Sequence, residues 1–194
     1  MMKATCRFAA ALLALLLGAC ASSPPTLVAL PSFVGGMRPQ GDDSRASLSL
    51  RPVTLPGYLD TYAVVLDRKA NTLRVAEDSE WAERLRDAVT RTVRDALSHR
   101  LGSSRVLMRG EHRVADAELT IEFLRLDPSD GVLELDARWS FVCTARGLPV
   151  RAGRTQLRTP LAAGTTSAVA AATANALAQF ADVLASQTWC DKGA

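Results

Sequence analysis

Residues 117–143 read AELTIEFLRLDPSDGVLELDARWSFVC, and their pattern decides the fold. From Ala117 to Leu126, the side chains of Leu119, Ile121 and Phe123 alternate with Glu118, Thr120 and Glu122. A two-residue period of this kind belongs to a strand with one face in a core and the other in water. Asp127-Pro128-Ser129-Asp130-Gly131 is a turn signal, after which the same period returns with Leu133, Leu135, Ala137, Trp139, Phe141 and Cys143. The stretch predicts two antiparallel strands, with Cys143 on the inward face.

Working outward, a further strand around Arg151 to Arg158 continues the meander after a turn at Gly147-Leu148-Pro149, and Arg105 to Met108 suits a short strand. Upstream, Thr26 to Leu30 and Ser47 to Thr54 read as strands, the second ending at Leu55-Pro56-Gly57. Tyr62 to Asp67 and Thr72 to Ala76 form a hairpin across Arg68-Lys69-Ala70-Asn71. Residues 31–45 carry Gly35-Gly36, Pro39, Gly41 and two aspartates without either period, and read as a mobile loop.

Two segments carry the helical period. Over residues 79–101, Trp81, Leu85, Val89, Val93, Leu97 and Leu101 recur every four positions. Asp78 or Ser79 caps the start, Glu80 and Glu83 face the positive end of the dipole, and His99, Arg100 and Gly102 mark the finish. The second helix is capped by Thr165, Thr166 or Ser167 and lines Val169, Thr173, Leu177, Phe180 and Leu184 on one face through about residue 188. The order of elements predicts an α+β fold: a mixed, mainly antiparallel sheet with two helices packed on one face, the other face being polar or meeting a partner.

Residues 1–19 are set apart as a lipoprotein signal peptide. Lys3 and Arg7 precede the apolar run Phe8 to Ala19, which is too short to span a bilayer. Leu17-Gly18-Ala19-Cys20 resembles the bacterial lipobox, which implies a diacylglyceryl group and an N-acyl chain on Cys20. Each buried methylene of such chains contributes about 0.8 kcal/mol, so two or three chains hold a protein firmly at a membrane. An ordinary secretory signal ending in Cys is the competing reading. Ala21 stands where Asp is the retention signal for the inner membrane in the lipoprotein sorting rule, so that resemblance implies the outer membrane, facing the periplasm. Residues 20–25 form a lipidated tether, and the five residues between Cys20 and Thr26 reach at most about 20 Å. Residues 26–194 then form a single domain.

The precursor carries a formal charge of +3, but without Lys3 and Arg7 there remain 21 basic and 20 acidic residues, so nucleic acid is not an implied partner. Cys143 and Cys190 are left as an even pair in an oxidising compartment, where a disulfide between them is the plain inference and two buried thiols the alternative.

The residues carry little catalytic chemistry. Gly164-Thr165-Thr166-Ser167 lacks the spacing and the lysine of a phosphate-binding loop. His99 and His112 stand far apart without metal-ligand spacing, and no nucleophile elbow surrounds Ser103 or Ser129. Glu118 and Glu122 lie on the wet side of a strand, and Asp127 and Asp130 on a turn, all as solvated carboxylates. Arg151, Arg154 and Arg158 form a basic cluster that suits lipid head groups or an acidic partner, or simply a solvated edge. The expectation is a protein that is not an enzyme and takes no cofactor or metal beyond its covalent lipid.

Leu55-Pro56-Gly57-Tyr58-Leu59-Asp60, then Asn71-Thr72-Leu73, then Trp81-Ala82-Glu83-Arg84-Leu85, together resemble the PqiC-type auxiliary lipoproteins over about residues 50–101. In that family a strand ends in Leu-Pro-x-Tyr-Leu-Asp, a hairpin carries Asn-x-Leu, and a helix opens with Trp-Ala-Glu-x-Leu. This chain departs after Asp60, where Thr61-Tyr62-Ala63 replaces an Arg-Pro-Gln-like step. The resemblance implies an auxiliary component of an MCE- and ABC-type intermembrane lipid transport system, acting as an adaptor beside an MCE-domain protein and the ABC transporter, and able to form homo-oligomers. The alternative is a lipoprotein that binds lipid or lipopolysaccharide by itself. Pro56 ends strand pairing and Gly57 allows a turn, so Leu55, Pro56, Tyr58 and Leu59 form a candidate partner contact, the alternative being that Tyr58 and Leu59 fold back over the sheet edge.

Overall fold

The alternating hairpin of residues 117–143 is the backbone of the larger sheet. β6 (Ala117–Ser129) and β7 (Val132–Cys143) pair antiparallel from Ala117↔Cys143 to Ser129↔Val132. The structure, a computed structural model, describes residues 23–31, 46–107, 111, 113–144, 151–187 and 190. The expected signal peptide, Cys20, the loop expected after Pro31 and the turn expected at Gly147-Leu148-Pro149 lie outside the described residues.

The connection between β6 and β7 is tighter than the turn signal suggests. Only Asp130 (φ 50°) and Gly131 (φ 77°) leave the ladder, and both take the left-handed backbone of a two-residue hairpin turn. Asp127 and Pro128 are strand residues and are buried, which corrects their placement on a solvated turn. A register shift between Phe123 and Arg125 explains the phase: strict alternation would turn Arg125 inward and Leu126 outward, whereas the extra residue restores Leu126 to the core at 3% exposure.

β8 (Arg151–Pro160) continues the meander against β7. On the other side, β2 (Leu48–Leu50) lies parallel to both β6 and β5 (Val106–Leu107), so the five-stranded order is β5-β2-β6-β7-β8. β2 is shorter than the sequence suggests because Pro52 has no N–H to offer the ladder. Beyond it the chain keeps company with β6 through a single bridge, Thr54↔Glu122.

The hairpin β3 (Ala63–Lys69) and β4 (Thr72–Trp81) does not join that sheet. It turns at Ala70 (φ 45°), and β4 pairs parallel with β1 (Thr26–Val28), making a separate three-stranded sheet ordered β1-β4-β3. The single sheet expected from sequence is therefore two mixed sheets. They meet where the Ser129 hydroxyl donates to the Arg68 carbonyl at 3.2 Å.

The first helix begins later than its period suggests. Pairing with β1 through Thr26↔Ser79, Leu27↔Glu80 and Val28↔Trp81 keeps residues 79–81 extended. Trp81 is 3% exposed, so it is a core residue at a strand end and not in a first helical turn. Helix α1 runs Leu85–Leu101, and Asp78 and Ser79 do not cap it. Arg84 occupies the N-cap position without a side-chain capping bond, and the first helical N–H, of Leu85, donates instead to the Thr61 carbonyl at 3.3 Å. His99 and Arg100 do occupy the last turn, and Gly102 (φ 99°) ends the helix.

Helix α2 (Thr166–Ala185) starts at Thr165, whose hydroxyl accepts from the Ala168 N–H at 3.3 Å, and ends before residue 188. It is long and apolar enough to cross a membrane, but half of its apolar stretch is buried against this fold. Phe180 meets Phe123 edge to face at 5.7 Å, which places α2 on the inner side of the five-stranded sheet. Arg100 joins the helices by donating to the Ala178 carbonyl at 2.8 Å and pairing with Asp182. The fold is α+β, with both helices over the inward row of Leu119, Ile121, Phe123, Leu133, Leu135 and Phe141. Burying each of these side chains contributes roughly 1.5–3 kcal/mol.

Candidate functional site

The Leu55–Asp60 loop ties the molecule together. The N–H groups of Leu59 and Asp60 both donate to the Pro56 carbonyl, at 2.9 and 3.2 Å, closing a tight turn. Leu55 and Leu59 turn inward, with 8% and 2% exposure. Tyr58 is half-buried, and its hydroxyl donates to Asp127 Oδ2 at 2.5 Å.

Asp127 has no solvent exposure, and a bare carboxylate could not be held there. Three donors satisfy it. Besides Tyr58, Arg125 Nε reaches Oδ1 at 3.1 Å and Arg68 Nη1 reaches Oδ2 at 3.4 Å. The Arg68 guanidinium also lies 5.6 Å from the Tyr58 ring centre. Burial, and then the hydrogen bond to Asp127, raise the Tyr58 hydroxyl well above the usual phenol range, so Tyr58 remains a donor. At the other end of the loop, Asp60 Oδ2 accepts from Arg86 Nη1 at 3.1 Å and Arg84 stands 4.0 Å from Oδ1. One six-residue loop thus grips β6 and β3 through Tyr58 and α1 through Asp60.

As a partner contact, this loop offers less than its sequence suggests. Leu55 and Leu59 are in the core, leaving Gly57 exposed and Pro56 and Tyr58 partly so. The turn-forming string around Asp127 suggests solvent for it, and nothing in the sequence near Arg68 or Arg125 marks them as its partners. Its partners lie 69 and 59 positions away, and no local signal announces such contacts.

The outer face of the five-stranded sheet is a polar lattice. Arg51 pairs with Glu118 at 2.7 Å, Arg138 with Glu122 at 3.9 Å, and Arg125 and Arg158 both pair with Glu134. Arg154 grips Asp136 with two bonds of 2.8 and 2.5 Å, which hold that carboxyl down at about 2. Of the expected basic cluster, Arg154 and Arg158 are therefore matched by carboxylates of β7, while Arg151 is exposed.

Cys143 and Cys190 are joined by a disulfide with Cα atoms 5.7 Å apart, tying the chain after α2 to the end of β7. Cys20 lies outside the described residues, as does His112. His99 sits in the last turn of α1. Among the described residues, no group of three or more His, Cys, Asp or Glu side chains has metal-binding geometry.

The architecture has solved counterparts. A protein of uncharacterised function superposes with a TM-score of 0.68 at 18% identity, covering 84% of this chain and 97% of its own. A Xanthomonas campestris protein superposes with a TM-score of 0.58 at 19% identity, covering 84% and 91%. At these identities the likeness shows the fold alone. The PelC dodecamer from Paraburkholderia phytofirmans gives a TM-score of 0.40 at 11% identity, covering 81% and 91%. No curated protein matches the chain. Residues 30–185, however, match the family of ABC-type transport auxiliary lipoprotein components, a span that holds the Leu55–Asp60 loop, every described strand but β1 and both helices, and the chain belongs to that family.

Proposed function

We propose that this protein is an outer-membrane-anchored, periplasm-facing lipoprotein that serves an MCE- and ABC-type system moving lipid between membranes, as its adaptor or docking subunit. The observation that carries this reading is the family match over residues 30–185, in a chain whose residues 17–20 have the lipobox pattern. Acyl chains on Cys20 and a tether of at most about 20 Å hold the folded body near the bilayer. There it acts by contact and assigns nucleotide hydrolysis to the transporter. Two mixed sheets braced by an internal loop and a disulfide suit such a role, because a docking subunit must keep its shape while its partners move. A ring of copies around the conduit fits the same role.

Capture of the full-length protein in mild detergent, with an MCE protein and the ABC subunits co-expressed, tests this. Co-purification of the MCE protein is expected, and its repeated absence overturns the adaptor role. The anchor is tested separately: Cys20→Ser is expected to remove the lipid mass and release the protein from membranes, and an unchanged mass and distribution overturns it.

A further inference from the structure

Away from the Leu55–Asp60 loop, a cleft of about 600 Å³ opens between β2, one face of α1 and the chain leading into β6. Four arginines line it: Arg51 after β2, Arg91 and Arg94 on α1, and Arg113 before β6. They face three carboxylates, Asp87, Glu111 and Glu118. Glu118 is already engaged by Arg51 at 2.7 Å, and Asp87 lies 3.6 Å from Arg86. Arg91 is held at 2.5 Å by Glu83, which is not part of the lining. Arg113 donates to the Ser104 carbonyl and forms no ion pair with a carboxylate among the described residues. Arg94 has no ion partner among the described residues. The cleft therefore presents an excess of guanidinium groups with free donors.

The placement is not that of a helix face used only for packing. Asp87, Thr90, Arg91 and Arg94 follow one another at helical spacing on the side of α1 that looks toward β2. Thr90 fastens that side, donating to the Arg86 carbonyl at 2.7 Å and accepting from the Val53 N–H at 3.1 Å. Leu50 and Leu107 add apolar lining. Planar guanidinium forks match phosphate oxygens, and a space of this size holds considerably more than a bare phosphate.

We propose that this cleft binds a phosphate ester, with Arg94 and Arg113 as the main anion contacts and the glycerol or first methylenes of the ligand against Leu50 and Leu107. The site goes beyond the docking role and does not depend on it, so failure of partner capture leaves it standing.

The test uses full-length protein in nonionic detergent, titrated calorimetrically with inorganic phosphate, glycerophosphoglycerol and dihexanoyl phosphatidylglycerol. Saturable binding that weakens about ten- to a hundredfold in Arg94→Gln and in Arg113→Gln is expected, with partial recovery in Arg94→Lys. Arg138→Gln, on the outer face of the sheet, is expected to bind as the unaltered protein does. Preference for either ester assigns the phosphate to a lipid headgroup. Equal binding of inorganic phosphate, with the same arginine dependence, supports the anion contacts and assigns a free phosphate as their source. Absence of saturation with all three probes, or affinity indifferent to Arg94 and Arg113, overturns the proposal.

Discussion

Tyr58→Phe removes one oxygen from the Leu55–Asp60 loop and leaves the ring in place. The lost bond runs to the fully buried Asp127 at 2.5 Å, and hydrogen bonds to charged groups contribute roughly 1.5–3 kcal/mol. Asp127 keeps Arg125 at 3.1 Å on its other oxygen, but Oδ2 is left with Arg68 at a long 3.4 Å. A cost of about 2 kcal/mol follows, in the middle of that range. For a domain of this size it corresponds to a fall in Tm of roughly 4–8 °C, measurable by calorimetry at neutral pH. The alkaline limb gives an independent check. Tyr58 holds its proton more tightly folded than unfolded, so its contribution is complete below the ordinary phenol value of 10.0 and is lost as pH rises beyond it. Above about pH 10 the unaltered protein is expected to lose stability more steeply than Tyr58→Phe. Coupling between Tyr58→Phe and Asp127→Asn of about 1 kcal/mol or more is expected from a double-mutant cycle. A Tm within 1 °C of the unaltered protein, or additive single effects, refutes the reasoning.

Other consequences follow from single contacts. A Cβ on Gly153 would stand 2.4 Å from the Trp139 ring, which is fixed by its Nε1 bond to the Thr155 hydroxyl at 3.0 Å, so Gly153→Ala is expected to cost about 1–3 kcal/mol in urea unfolding. Asp136 is held at about 2 by Arg154, below its ordinary 3.8, so its contribution is present above pH 3.8 and lost as pH falls toward 2; Arg154→Gln is expected to flatten that part of the acid-unfolding curve. Reducing the Cys143–Cys190 bond, which spans 47 positions, is expected to lower unfolding free energy by roughly 3–4 kcal/mol in denaturant titrations with and without reductant. Nothing lies within 4 Å of a Cβ on Gly57, so Gly57→Gln is expected to keep its Tm within about 1 °C. If partner capture also survives Gly57→Gln, the tip of the Leu55–Asp60 loop is not the docking point.

What could be read from residues alone follows the range of the forces involved. The meander, both helices and the inward row from Leu119 to Phe141 are carried by period and turn chemistry, which act over a few positions. Trp81 shows where that reading fails. It falls in phase with Leu85 and Val89, so the helical stripe absorbs it, yet pairing with the distant β1 holds it extended. Asp127 and Asp130 make the same point within four residues of one another. Both belong to a string of turn formers, but only Asp130 adopts the left-handed backbone that the hairpin needs. Asp127 falls on the side of β6 that Tyr58 and Arg68 cover, and its charge is tolerable only because donors arrive from far along the chain. The cleft was illegible for the same reason, since Arg51, Arg94 and Arg113 belong to separate segments.

The Tyr58–Asp127 contact also separates two roles the Leu55–Asp60 loop could play. A partner-binding loop keeps its apolar side chains outside and its neighbours tolerant of change. Here Leu55 and Leu59 are spent inside, Tyr58 is committed to a buried carboxylate, and Asp60 to the arginines at the start of α1. Substituting those residues therefore tests the union of the two sheets with α1. Loss of partner capture in such a variant is evidence about docking only when its Tm is unchanged. Two described surfaces that could meet a partner without that coupling are the tip at Gly57 and the charged lattice on the outer face of the larger sheet. On that lattice, paired side chains can exchange one partner for another at small cost, because exposed ion pairs contribute no more than about 1 kcal/mol each.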